Sequence, residues 1–101
     1  MKGLIWTPIA LKSLHDTIDF LQIQWHESIV DSFVESIEHK LALVQENTEI
    51  GPKIGIGEIR RVLAHAHISL FYEDQVNYIK VLLVWDNRQN PDQLFEKLVA
   101  Y

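Results

Sequence analysis

The sequence contains no cysteine, which removes disulfides, thiolate nucleophiles and thiolate metal ligands at once. A chain without cysteine fits a reducing cytosol, and a cytoplasmic location is the expectation. Long apolar runs are also missing. None approaches the roughly 20 residues that a membrane-spanning helix needs, and the opening MKGLIWTPIALK carries no small-residue cleavage site. No membrane association is expected. Glycine and proline are scarce, at four and three residues, and most of them crowd into GPKIGIG at residues 51–57, so the chain has no linker, repeat or low-complexity segment. Positive charge is short as well. Nine Lys and Arg stand against 14 Asp and Glu, for a net charge of −5, which opposes non-specific attraction to nucleic acid. No direct sequence-specific DNA binding is expected.

What is present is an ordinary globular composition, 48% hydrophobic and 23% charged over 101 residues, one domain over residues 1–101 able to bury about two-thirds of its unfolded surface. The charge is uneven. Residues 1–50 hold eight acids and only three lysines, whereas residues 51–101 hold six acids and six basic groups, including all three arginines. Any anion-facing site is expected in the second half, with His65 and His67.

The apolar periodicity gives the order of elements. GLIW (residues 3–6) reads as a strand. Thr7 and Pro8 read as the cap and first residue of a helix, because proline there loses no hydrogen bond. Leu11, Leu14, Ile18 and Leu21 continue its apolar stripe. The stripe breaks near Trp25-His26 and restarts with Ile29, Val30, Phe33, Val34, Ile37, Leu41 and Val44, a second helix with an acidic outer face and a Ser28–Asp31 capping pair. Two such helices form an antiparallel hairpin. After the glycine-rich loop the period changes. EIRRVLAH (58–65), ISLFYE (68–73) and NYIKVLLVW (77–85) are rich in β-branched and aromatic residues and read as a three-strand meander. The last strand is central because both its faces are apolar. Asn90-Pro91, with Gln93 three residues after the cap, opens a short final helix. The fold class is α+β: an N-terminal strand, a helical hairpin packed on a mainly antiparallel sheet, and a C-terminal helix.

Several residues could carry chemistry. GPKIGIG is no phosphate cradle, since such loops join a strand to a following helix and here the order is helix, loop, strand. His65 and His67, two apart, are expected to share a strand face with Arg61. They lack a third metal ligand nearby, so no metal or other cofactor is expected, while acid–base work beside an arginine-held phosphate stays open. Arg60 and Arg61 point to opposite faces, one expected as an ion pair over the hairpin's acidic flank and the other free for a partner. The polar knot Asp86-Asn87-Arg88 ends a strand of five apolar residues. It is either a partner contact on a rigid strand end or an internal Asp86–Arg88 pair followed by an Asn90 cap.

The order of strand, helical hairpin, NTEIG loop, IRRVLAHAHISLFY and VLLVWDNRQNP resembles the RelE/ParE superfamily of toxins from bacterial type II toxin–antitoxin pairs, over nearly the whole chain. The resemblance implies one of two activities. RelE-like members cleave messenger RNA on the ribosome, and ParE-like members keep the fold but inhibit DNA gyrase. Arg88 matches the C-terminal catalytic arginine of the ribonucleases. Their strand arginine falls near Ser69, their C-terminal tyrosine near Leu94-Phe95, and their lysine-rich loop is reduced to Lys53. These departures, with the acidic charge, place the chain closer to the ParE-like branch, a binding protein rather than an enzyme. The alternative ribonuclease set is Lys53, Arg61, His67 and Arg88, with ribosome and mRNA as partners. A third alternative is an inactive toxin-fold interaction domain. The residues implied to contact the target or an antitoxin are Arg60, Arg61, His67, Tyr72, Trp85, Asn87 and Arg88. An antitoxin tail is expected on the sheet and hairpin groove, covering apolar surface at Trp25, Phe71 and Trp85.

Overall fold

The computed structural model describes residues 2–24 and 27–100. The elements follow one another as β1 (Gly3–Trp6), α1 (Pro8–Gln24), α2 (Glu27–Glu46), β2 (Ile59–His65), β3 (Ile68–Asp74), β4 (Tyr78–Asp86) and α3 (Pro91–Ala100). Thr7 caps α1 as its sequence suggests. Its hydroxyl accepts the Ala10 N–H (3.1 Å) and donates to the Val81 carbonyl (2.9 Å), so the helix start is tied to a strand by one side chain. Helix α2 buries Val30, Phe33, Ile37, Leu41 and Val44, spaced by three or four residues, as one stripe against the sheet. The helix already includes Glu27 and Ser28, so Ser28 lies within its first turn and is not its cap. The break at Trp25-His26 lies outside the described residues.

The four strands run in the order β1-β4-β3-β2. β1 pairs parallel with β4, and the other two pairings are antiparallel. β4 is therefore internal, and its apolar run is explained by cover on both faces. Val81 and Val84 join the core under α1 and α2. Leu82, Leu83 and Trp85 join a second core on the opposite face, with Phe71 and Leu98 of α3. β1 stops at Trp6, opposite Val81. Beyond that point the free edge of β4 meets α1, and the Ser13 hydroxyl accepts the Val84 N–H at 2.9 Å.

The outer edge of β2 is strapped by the loop before it. Arg61 N donates to Pro52 O and Ile54 N to Ile59 O, both at 3.1 Å, which satisfies backbone groups that an open edge leaves exposed. This crossing requires a glycine. A Cβ at Gly51 lies 2.7 Å from the Arg61 carbonyl oxygen, 2.8 Å from Val62 Cγ1 and 2.9 Å from the Tyr72 hydroxyl.

Candidate partner-binding surface

The two adjacent arginines of β2 part company because strand side chains alternate. Arg60 shares the hairpin face with Val62. The ion pair expected over the hairpin's acidic flank is not what it makes: its Nη1 donates to the Gly51 carbonyl at 2.7 Å. The Tyr72 hydroxyl completes this lock, donating to Thr48 O at 2.9 Å and accepting the Gly51 N–H at 3.0 Å. Tyr72 is fully buried, and burial raises its phenol above the ordinary value, opposed by the Gly51 hydrogen bond. Its ring is thus committed to holding the NTEIG loop.

Arg61 turns to the α3 face. Its Nε donates to Ser69 Oγ at 2.8 Å, and that hydroxyl donates to Asn87 Oδ1 at 2.9 Å. Ser69, the position implied to carry an arginine in the ribonucleases, is fully buried. It aims a neighbouring strand's arginine instead. Arg61 and Asn87 line a groove of about 410 Å³, whose apolar walls are Ile54, Ile56, Phe71, Leu94 and Phe95.

The knot at the end of β4 closes on itself. Asp86, 9% exposed, accepts from Arg88 N (2.9 Å), Nε (3.0 Å) and Nη2 (2.6 Å). These hydrogen bonds hold the Asp86 carboxyl below its ordinary value against the opposing effect of burial. The same pairing pushes the Arg88 guanidinium up. The internal-pair alternative is therefore realised, although half of the Arg88 side chain stays exposed. Asn87 N donates to His67 O at 2.7 Å, and Asn90 Oδ1 accepts the Asp92 N–H at 2.9 Å to cap α3.

The histidines do not share a face with Arg61. A bulge between Leu63 and His65 shifts the register, and a β-bulge re-aims the side chains beyond it. His65 consequently packs on the hairpin side, edge-on to Phe33 with ring centroids 5.9 Å apart, its Nδ1 3.2 Å from Ser36 Oγ. Ala66, at φ 41°, turns the chain, and His67 is exposed in that turn. His65, His67 and Arg88 line a separate cleft of about 310 Å³ beside Leu21 and Ile29. Lys53 is engaged with Glu58 at 2.7 Å. The four residues of the ribonuclease alternative thus divide between two faces and a loop. Among the described residues no group of three or more His, Asp or Glu could hold a metal ion.

Two residues expected at the surface are buried. Trp85 is 4% and Phe71 1% exposed, because α3 lies over that face of the sheet and Lys97 Nζ sits 5.7 Å from the Trp85 ring centroid. Trp25 lies outside the described residues. Sequence reasoning missed the part played by Ser69. Its signal was there to read, since Ser69 is the one small hydroxyl in the apolar stretch from Ile68 to Phe71.

A mixed four-stranded sheet with a helical hairpin on one face and a short helix on the other defines an α+β fold, and the solved structures contain it. A chain of the "Chromosomal ParDE TA system from P. aeruginosa" superposes with a TM-score of 0.71 at 20% identity, covering 83% of this chain and 94% of that one. Residues 4–91 match the family described as "ParE toxin of type II toxin-antitoxin system, parDE". The chain belongs to the ParE toxin family. The search of curated proteins returned no match. Among the described residues no helix is long and apolar enough to cross a membrane.

Proposed function

We propose that this ParE-family toxin acts in the cytoplasm by binding and inhibiting a macromolecular target, DNA gyrase, and that a cognate antitoxin neutralises it. The observation that carries this reading is the separation of Arg61 and Lys53 from the cleft that His67 shares with Arg88. Phosphodiester cleavage needs its acid, base and phosphate-holding groups around one reacting atom. Here Arg88 is paired with Asp86, Lys53 with Glu58, and Arg61 faces the other side of the sheet. The net charge of −5 also suits the ribosome poorly. Of the contact residues implied by the resemblance, Arg61, His67, Asn87 and Arg88 are exposed and form the proposed contact set. Arg60 is partly buried on the loop lock. Tyr72 holds the NTEIG loop and Trp85 is buried in the core beside α3.

The test is inducible expression in a bacterium, followed by measurement of plasmid supercoiling and of cleavage of ribosome-bound mRNA. Lost supercoiling with intact mRNA is the expected outcome. Cut mRNA assigns the protein to the ribonucleases, and unimpaired growth assigns it to the inactive interaction domains.

A further inference from the structure

The three arginines differ in what they find inside the chain. Arg88 has the Asp86 carboxylate and Arg60 has a backbone carbonyl. Arg61 has the uncharged Ser69 hydroxyl, and among the described residues no carboxylate forms an ion pair with it. Its setting is apolar. Ile54, Ile56, Phe71, Leu94, Phe95 and Leu98 surround it in the groove between α3 and the loop strapped over β2. Phe95 is 58% exposed, and Leu63, two residues along the same face of β2, is 52% exposed.

Arg61 is exposed in the free chain, and a carboxylate brought to it under apolar cover makes a strong charge-assisted pair. The direction of approach is set. Ser69 is fully buried and takes Nε, while Asn87 fixes the Ser69 hydroxyl from the other side. The two Nη groups are left to meet a carboxylate end-on in a bidentate fork. A nucleic-acid backbone fits the groove badly. It needs several cations in a row, whereas the groove supplies one arginine.

We propose that this groove receives an apolar segment of the antitoxin bearing one carboxylate, which pairs with the Nη groups of Arg61 while its apolar neighbours cover Leu63, Leu94 and Phe95. The assignment rests on the antitoxin reading above and selects one face from the several that reading allows.

The experiment uses the full-length toxin and the antitoxin encoded beside it, with affinity measured by titration calorimetry and contacts mapped by hydrogen exchange. Arg61→Gln is expected to weaken the complex by about 30-fold or more, with Arg61→Lys recovering only part because the fork is lost. Each free variant should keep the wild-type thermal midpoint within a few degrees. Protection in the complex should include residues 54–56 and 94–98. Wild-type affinity in Arg61→Gln, or protection confined to the Arg88 cleft or to the helical hairpin, overturns the groove assignment and leaves the antitoxin reading intact. Failure of the wild-type pair to associate removes both. A short single-stranded RNA that binds the wild type and is lost with Arg61→Gln, while antitoxin affinity stays unchanged, overturns the proposal in favour of a nucleic-acid site.

Discussion

Arg60 and Arg61 are consecutive in sequence and end on opposite sides of the sheet, Arg60 on the Gly51 carbonyl at 2.7 Å and Arg61 on the Ser69 hydroxyl at 2.8 Å. One fastens the loop over β2, and the other faces outward. Arg60→Ala should therefore lower stability by about 1.5–3 kcal/mol, the worth of a charge-assisted hydrogen bond, with toxicity falling only in proportion to folded protein. Arg61→Ala should leave the urea midpoint nearly unchanged and reduce partner binding. Equal stability losses in the two variants would show that the division of labour is wrong.

The crossing at Gly51 leaves no room for a side chain. Two of the three atoms that a Cβ meets are the Arg61 carbonyl oxygen and the Tyr72 hydroxyl, at 2.7 and 2.9 Å, and the hydroxyl is held by Thr48 O. Gly51→Ala should cost about 1–3 kcal/mol as an overpacked site. Tyr72→Phe, which unpairs both the Gly51 N–H and the Thr48 carbonyl, should cost about 1–3 kcal/mol. The two effects should be less than additive, because each opens the same lock. Full additivity in chemical denaturation would indicate independent sites.

The pairing at Asp86 predicts the acid limb of stability. Arg88 lowers the folded-state value of this carboxyl below its ordinary 3.8. The group therefore contributes stability that is fully present above that ordinary value and is lost as pH falls through the lower folded one. Asp74, lowered chiefly by its hydrogen bond from Lys2, acts in the same sense. The wild type should show a thermal midpoint that drops steeply below about pH 4, and Asp86→Asn should flatten that drop without changing its position near neutrality relative to its own plateau. Parallel curves for the two proteins would exclude Asp86 as a source of the acid sensitivity.

Much of this architecture is legible in the sequence because local signals and burial agree. Thr7-Pro8 marks a helix start, the stripe from Val30 to Val44 marks a buried face, and VLLVW marks a strand covered on both sides. The site was harder to read for a different reason. The face of His65 is not legible, because a single bulge after Leu63 reverses the strand alternation that places it beside Arg61. The burial of Trp85 and Phe71 is not legible either, because nothing in one strand tells which distant helix lies over it. Which of Arg60 and Arg61 turns to the hairpin is not legible, and the flank ion pair expected of one of them is replaced at Arg60 by a carbonyl across a loop, a partner that charge patterning in sequence cannot show.

Helix α3 can be removed as a test of that cover. It buries Leu98 to 5% exposure and shields Trp85. A chain truncated before Pro91 should expose Trp85 and Phe71, shift the tryptophan emission to longer wavelength and bring self-association through the uncovered face. Emission unchanged by the truncation would mean that α3 does not cover Trp85 in solution.

The hydrogen-bonding edge of β4 changes owner part-way along its length. Up to Val81 it belongs to β1, and at Val84 it belongs to a helix side chain, the Ser13 hydroxyl. The Val84 amide is thus governed by how firmly α1 is docked. The register of β3 against β4, in which Leu83 lies across from Phe71, is governed by the sheet. A single strand carries reporters for two cooperative units, and the exchange rate at Val84 relative to the amides paired across β3 measures how often the helix lifts while the sheet stays whole.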